Sequence, residues 1–133
     1  MPTETVPSVT LRRLEGQYAT VRLPAGSPIP AWADGDGFVS ISRSPDELSV
    51  VCRSERVPAG SQADTDWVCW QFMGPFAFTE TGIASAVLAP LAAARIGVFL
   101  VSTYDTDYLL VKSAHETAAE TALRAVGHII TTL

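Results

Sequence analysis

Positively charged residues are scarce in this sequence, and their scarcity limits what the protein can bind. There are 9 Lys and Arg residues against 14 Asp and Glu, which gives a formal net charge of −5 at pH 7. The basic residues are scattered along the chain, so we expect no basic patch of the kind that binds phosphate backbones. The composition therefore argues against a nucleic-acid partner.

Long apolar runs are also lacking. No run approaches the roughly 18 residues that indicate a transmembrane helix. The first residues, MPTETVPSVT, have neither the basic start nor the apolar core of a signal peptide. We therefore expect no membrane partner and a cytoplasmic location.

Cysteine and histidine are sparse as well. Cys52 and Cys69 lie in strand-like segments and are expected to be buried thiols rather than a disulfide. His115 and His128 open and close a helical pattern, and neither has a second ligand at a spacing that metal sites use. The sequence therefore predicts no metal site and no cofactor.

Apolar residues, by contrast, are plentiful. They make up 47% of the 133 residues, and charged residues make up 17%. A chain of this length and composition can build one core of ordinary size, or two small modules.

The second half of the chain alternates strand and helix patterns. Apolar residues at fourfold spacing over 83–91 form one face of a helix, in which Pro90 is expected to cause a kink or a restart. A second amphipathic helix ends at Gly127. Strand patterns are DWVCWQF, IGVFLV, DYLLV and HIITTL. The order strand, helix, strand, strand, helix, strand predicts an α+β, ferredoxin-like βαββαβ module with both helices on one face of an antiparallel sheet.

The first half looks like a reduced copy of this plan. PIPAW has room for a short helical turn only, and Pro45 and Asp46 favour a turn between the last two strands. Strand patterns are YATVRL, FVSIS and LSVVC. The small polar residues 57–66 follow in place of a second helix and indicate a linker. We therefore predict a reduced N-terminal module with its linker at residues 1–63 and a complete module at residues 64–133.

The stretch STYDTDYLLV, residues 102–111, places polar side chains at the turn between two apolar strands. A receptor for a free amino acid needs oxygen acceptors for the ammonium group and N–H donors for the carboxylate. Glu80 and Asp107 offer acceptors. The loop that enters the helix at Gly82 offers unpaired backbone N–H groups and the positive end of the helix dipole. The predicted fold brings both sets to the same end of the sheet.

Each of these polar residues also has a purely structural interpretation. Asp105 and Asp107 are typical of turns in which the side chain bonds to its own backbone. Glu80 could simply complement the helix dipole, and Thr79 or Thr81 could cap the helix. Tyr104 is expected to be half-buried at the edge of a cleft.

The segment FTETGIASAVLAPLAAARIGVFLVSTYDTDYLLV resembles the signature of one branch of the ACT-domain proteins, through its TGI, APLA and STYDTD elements taken together. SPDELSVVC also resembles the first module of the bacterial members of that branch. ACT domains are small ferredoxin-like regulatory modules that bind amino acids, often where two modules pair. The branch includes small bacterial tandem-ACT proteins and the animal cytosolic arginine sensors of the CASTOR type, so the resemblance implies a tandem ACT protein.

The resemblance also implies where a ligand would bind. A neighbouring module contributes the start of its second strand, which matches Gly97 and Val98 here. Because this chain has one complete module, these two residues would come from a second copy, which implies a homodimer. At Asp105 the sequence departs from the family, which has an amide there. The expected ligand-binding residues are Ala77, Glu80, Thr81, Gly82, Gly97, Val98, Thr103, Tyr104 and Asp107.

We therefore expect a non-catalytic, amino-acid-binding regulatory protein that acts as a sensor for an unspecified downstream protein. Two carboxylates near the cleft favour arginine or another basic amino acid. The alternative is an assembly module that dimerises through its ACT sheets without a ligand. An enzyme is not predicted, because Ser102 and Thr103 have no histidine near them to act as a base.

Overall fold

The computed structural model describes residues 7–74, 76 and 81–132 of the chain. These residues form two compact units. The N-terminal unit is Glu15–Val68, and the C-terminal unit comprises the described residues of Met1–Leu14 and Cys69–Leu133. The domain boundaries predicted at residues 63 and 64 stay a prediction, because the units follow contacts rather than chain order.

The elements confirm the α+β fold class that the sequence predicts. The α-helices in the described residues are α1 (Ile83–Ala93) and α2 (Glu116–Ala125). Short 3₁₀ turns cover Ala31–Ala33, Ser54–Arg56 and Ser113–His115. The strands are β1 (Thr10–Arg13), β2 (Tyr18–Leu23), β3 (Ser40–Arg43), β4 (Leu48–Arg53), β5 (Ala63–Phe72), β6 (Phe99–Ser102), β7 (Asp107–Lys112) and β8 (Ile129–Thr132).

The N-terminal unit is the reduced ferredoxin-like module. Its strand order is β3-β4-β2-β5 with antiparallel neighbours, and a 3₁₀ turn stands where the first helix would be. The predicted turn between β3 and β4 is present, with the Ser44 N–H donating to the Glu47 carbonyl at 2.9 Å. One core cluster of this unit consists of Ala19, Val21, Ala33, Val50 and Cys52.

Strand β5 begins at Ala63, inside the segment that the sequence predicts to be a linker. The pairing with β2 shifts register between Tyr18 and Thr20, which face Trp67 and Asp64. Asp66 has a φ of 67° at this irregularity. Alternation of apolar and polar residues does not predict this part of β5, because its residues are mostly polar and the bulge adds one residue that breaks the period of two.

The C-terminal unit has the strand order β6-β7-β5-β1-β8. In the predicted module the last strand would lie beside the first, but here β1 lies between β5 and β8. It pairs antiparallel with β5 and parallel with β8, so one pair departs from the expected antiparallel pattern. The sequence TLRR does not predict a strand, because its fully buried Leu11 is a single inward apolar residue in a very short segment.

Helices α1 and α2 contact each other and bury their apolar faces, which contain Val87, Leu91 and Leu123. The helix does not restart at Pro90 but continues through it to Ala93, and the predicted kink at Pro90 stays a prediction. The predicted stop of α2 at Gly127 is confirmed: the helix ends at Ala125, and Gly127 has a φ of 95°.

Both cysteines are free and buried, as the sequence predicts. Burial raises the pKa of the Cys69 thiol to about 12, with the nearby Arg13 acting in the opposite direction. Burial also raises the pKa of Cys52. Since the thiolate is the reactive form, both thiols are held in their unreactive state.

Candidate ligand-binding site

A cavity of about 350 Å³ lies between the first turn of α1 and the hairpin that joins β6 to β7. All of its lining residues belong to the C-terminal unit. They are Phe76, Gly82, Ile83, Ala84, Ser85, Ser102, Thr103, Tyr104, Asp105, Thr106 and Asp107.

The hairpin wall of the cavity is held by two threonines. The Thr103 N–H donates to the Thr106 carbonyl at 2.7 Å, and the Thr106 N–H donates to Thr103 Oγ1 at 3.3 Å. The buried Thr106 hydroxyl donates to the carbonyl of Phe72 at 2.7 Å, which ties the turn to β5. Tyr104 and Asp105 therefore project from a fixed base.

Two carboxylates lie on this wall. Asp105 is exposed at the tip of the turn, and the half-buried Asp107 opens β7 opposite Ser102. Within residues 7–74, 76 and 81–132, neither carboxylate has a hydrogen bond or an ion pair, so this part of the structure lacks the turn bond to their own backbone. Both are acceptors with free capacity at the cavity.

The helix wall supplies donors. The residue at the N-cap of α1 is Gly82, with a φ of 79°, and a glycine has no side chain that could cap the helix. Thr81 therefore does not occupy the predicted N-cap position, and Thr79, the other candidate, lies outside the described residues. The first helical bond runs from the Ala86 N–H to the Gly82 carbonyl at 2.9 Å. An α-helix leaves its first N–H groups without helical partners, and here they belong to the cavity-lining Ile83, Ala84 and Ser85.

Glycine is needed at position 82 for its backbone conformation. A φ of 79° is strained for residues with a side chain, whereas a Cβ there would meet no atom within 4 Å. The same open space lets a ligand approach the start of α1.

Four of the residues expected to bind a ligand meet at this cavity, namely Gly82, Thr103, Tyr104 and Asp107. The exposed Thr81 precedes Gly82 and is not part of the lining. Asp105, for which the sequence favours a turn role, does line the cavity.

The remaining expected residues are placed elsewhere. Ala77 and Glu80 lie outside the described residues. Gly97 and Val98 are exposed just before β6, at the opposite end of that strand from Ser102, and do not line the cavity of their own chain.

Tyr104 is 82% exposed, which differs from the half-buried position expected for it. The two-residue tip of the hairpin carries its ring outward, so one chain leaves the phenol at the rim of the cavity.

Ser85 and Ser102 also line the cavity, although neither is among the residues expected to bind a ligand. Ser85 stands in the first turn of α1, where helix-start residues approach a ligand, so its distance from Gly82 was a usable signal. Ser102 ends β6 directly before the turn and had no signal beyond its position.

A membrane-spanning helix and a metal site each have requirements that the described residues do not meet. Neither α1 nor α2 is long and apolar enough to cross a bilayer. Within the same ranges, His, Cys, Asp and Glu side chains nowhere gather in a group of three or more that could hold a metal ion.

Two family models match the chain. One is described as an ACT domain and matches residues 62–125, and one is described as an N-terminal domain and matches residues 16–60. Among curated proteins, the human protein CASTOR3P is 33% identical over 87 residues, which are 56% of this chain and 53% of that protein. This chain thus spans about half the length of that relative.

Solved structures with the same fold include two of interest. Protein Atu0741 from Agobacterium tumefaciens is 47% identical, with a TM-score of 0.91 over 96% of this chain and 95% of that chain. The regulatory subunit of aspartate kinase from Thermus flavus is 12% identical, with a TM-score of 0.59 over 92% of this chain and 99% of that chain. At that identity the second likeness shows the fold alone.

Proposed function

The chain belongs to the ACT-domain family, as a tandem member related to the CASTOR-type proteins, and on that premise we propose that it is a non-catalytic regulatory protein that binds an amino acid. The observation that carries the proposal is a single cavity with a helix N-terminus, whose N-cap residue is a glycine, on one wall and two carboxylates on the other. A free amino acid has a carboxylate, which complements the N–H groups of the helix wall, and an ammonium group, which complements the carboxylates of the hairpin wall.

The proposed contacts follow from the two walls. The ligand carboxylate accepts hydrogen bonds from the N–H groups of Ile83, Ala84 and Ser85, where the helix dipole favours an anion. The ligand ammonium donates to Asp107, and Thr103 lines the same wall of the cavity. A volume of about 350 Å³ suits a molecule of this size.

Arginine or another basic amino acid is the ligand class that the charges favour. One carboxylate suffices for the α-ammonium group, so Asp105 is left for a second cation at the rim. A guanidinium binds a carboxylate through two parallel hydrogen bonds, which makes arginine the better partner. The resemblance to the CASTOR-type arginine sensors supports the same choice. In this proposal Ala77, Glu80 and Thr81 complete the site from the loop before α1.

A homodimer would complete the cavity. Strand β6 lies at one end of the strand order of the C-terminal unit. If the β6 edges of two copies pair antiparallel about a twofold axis, Gly97 and Val98 of one copy come to lie beside Ser102 of the other. That arrangement would also cover the exposed ring of Tyr104.

Ligand binding would then act on assembly. An amino acid that contacts both copies binds the dimer more tightly than the single chain, so it shifts the population toward the paired state. A downstream protein would recognise that state.

Thermal unfolding in the presence of single amino acids tests the proposal. A ligand at 100 times its dissociation constant stabilises the folded state by about 2.7 kcal/mol. We expect L-arginine to raise the midpoint. Asp107→Asn should abolish this rise, whereas Asp46→Asn, which changes an exposed aspartate of the N-terminal unit, should preserve it.

If none of the common amino acids at millimolar concentration raises the midpoint of the unmodified protein, the proposal is wrong. In that case a dimer seen by sedimentation would favour the assembly module without a ligand.

A further inference from the structure

His128 is buried, with 3% of its surface exposed, and both of its ring nitrogens have partners. The Val9 N–H lies 3.0 Å from Nδ1, and since an amide N–H can only donate, Nδ1 is the acceptor. The proton of the neutral ring is then on Nε2, which donates to the Ala86 carbonyl at 2.7 Å. The two bonds fix the tautomer and the orientation of the ring.

The bond to Ala86 replaces one that α1 cannot make. In a regular α-helix the Ala86 carbonyl accepts from the N–H of the residue four positions later. That residue is Pro90, which has no N–H. His128 supplies the donor from outside the helix and satisfies a carbonyl that would otherwise be left unpaired.

The backbone of His128 is fixed as well. The Gly127 N–H donates to the Arg124 carbonyl at 3.0 Å, and the His128 N–H donates to the Leu123 carbonyl at 3.1 Å. These two bonds form the glycine-based motif that ends many helices. His128 thus stands at the end of α2 and reaches both Val9, the residue before β1, and Ala86 at the end of the first turn of α1.

This contact is next to the candidate cavity. Ala86 directly follows Ser85, the last of the helix residues that line the cavity. The Ala86 N–H donates to the carbonyl of Gly82 and closes the first turn. A residue that holds Ala86 therefore also holds the turn whose N–H groups face the cavity.

We propose that His128 is a positioning residue for the cavity, which couples the first turn of α1 to the insertion of the N-terminal strand β1 between β5 and β8. Its relevance to ligand binding rests on the proposed function, but the coupling itself is a property of the protein without ligand. When β1 is in place, the Val9 N–H holds the ring, and the ring holds α1. When β1 leaves, the ring loses one partner and the start of α1 is released.

Amide hydrogen exchange of the protein without ligand tests the coupling. The two reporters are the Ala86 N–H, bonded to Gly82, and the Ile129 N–H, which donates to the Val9 carbonyl at 3.0 Å. The reference is the Ser54 N–H in the N-terminal unit, which donates to Gln17 at 2.9 Å. In His128→Phe we expect both reporters to exchange at least tenfold faster relative to the reference.

His128→Gln is the matched variant, because a glutamine amide offers one donor and one acceptor. It should return both reporters to within about threefold of the unmodified protein, whereas a merely space-filling role would make phenylalanine the better substitute. Equal acceleration of reporters and reference in His128→Phe, or no acceleration of Ala86, overturns the proposal.

Val9→Pro gives a second test if His128→Phe does not fold, because it removes the N–H that donates to His128 Nδ1. Val9→Ala is its control, since it shortens the same buried side chain but keeps the N–H. Faster exchange at Ala86 in Val9→Pro than in Val9→Ala supports the coupling, since His128 bonds to both the Val9 N–H and the Ala86 carbonyl. An unchanged rate at Ala86 contradicts it.

Titration with L-arginine separates this inference from the proposed function. If L-arginine binds the unmodified protein and binds His128→Phe at least tenfold more weakly, with recovery in His128→Gln, the positioning role is supported. Equal binding to all three proteins overturns that role. If L-arginine binds none of them, the proposed ligand is wrong, and the exchange rates alone decide the coupling.

Discussion

The Nε2 atom of His128 lies 2.7 Å from the carbonyl oxygen of Ala86. This oxygen is the one that Pro90 cannot serve, because proline has no N–H. The bond explains why α1 continues to Ala93 where the local sequence predicts an interruption. A residue 42 positions away in sequence supplies the donor that the helix lacks.

A double-mutant cycle measures the coupling energy between His128 and Pro90, which act on the same Ala86 carbonyl. His128→Phe should lower the free energy of unfolding by roughly 2–4 kcal/mol, because the Ala86 carbonyl and the Val9 N–H both lose their partner. Pro90→Ala returns a helical N–H to Ala86, so it should stabilise the His128→Phe background more than the unmodified protein, by about 1 kcal/mol. Urea unfolding of the four proteins gives the coupling. Additive effects would mean that His128 and Pro90 do not share this carbonyl.

A second prediction concerns the left-handed residues that follow the two helices. Arg95 follows α1 with a φ of 60°, and Gly127 follows α2 with a φ of 95°. The left-handed conformation costs a residue with a side chain about 1–2 kcal/mol. Arg95→Gly should therefore stabilise the protein by roughly 0.5–1 kcal/mol, and Gly127→Ala should destabilise it by about 1 kcal/mol. Chemical denaturation measures both, and changes of equal sign would contradict the assignment.

Thr106 should be the threonine of the hairpin that matters most for stability. Thr106→Val keeps the shape but removes the donor to the Phe72 carbonyl, so it should cost about 1–2 kcal/mol. Thr121→Val is the matched control. Its hydroxyl donates to the carbonyl of Thr117 on an exposed helix face, and its loss should change the free energy of unfolding by less than about 0.5 kcal/mol. Similar costs for the two variants would count against the role of Thr106.

Alkaline pH should destabilise the protein through Cys69. The pKa of this thiol is 9.0 in its ordinary state and about 12 in the folded protein. Between these values the unfolded chain loses the proton and the folded chain keeps it, so stability falls by roughly 1 kcal/mol per pH unit as the pH rises above 9. Cys69→Ala should lose less stability than the unmodified protein between pH 8.5 and about pH 10.5. Parallel stability curves for the two proteins would contradict the burial of the thiol.

The proposed β6 interface can be tested with two exposed valines. Val98 is 37% exposed beside β6, and Val126 is 51% exposed after α2. Val98→Asp should shift the protein toward the monomer, because two copies would place these carboxylates in the same interface, whereas Val126→Asp should leave assembly unchanged. Sedimentation equilibrium distinguishes them. If Val126→Asp alone abolished the dimer, the β6 interface would be wrong and the β8 end of the strand order would be the better candidate.

The candidate site could be predicted only in part. Glycine at position 82 and the polar turn after β6 carry local signals, and the structure brings Gly82, Thr103, Tyr104 and Asp107 to one cavity. The outward position of Tyr104 could not be foreseen, because residue type alone does not tell on which side of a turn a ring lies.

The fold shows the same division. Alternating apolar residues predict most strands, and Gly127 predicts the end of α2, because these features depend on neighbours within a few positions. Strand β1 escapes prediction because four residues with one buried side chain form a strand only when β5 and β8 are there to pair with them.

By itself, then, the sequence determined the order of the strands and helices that follow β1, the turn that carries Asp105 and Asp107, and the uncharged interior. Only the tertiary structure decided that α1 passes through Pro90 and that β1 inserts beside β8. His128 joins these two outcomes, through bonds to residues 42 and 119 positions away. Hydrogen bonds over such distances are formed by the packed fold, since neither the Ala86 carbonyl, four residues before Pro90, nor the Val9 N–H, just before β1, is predicted by its local sequence to have this partner.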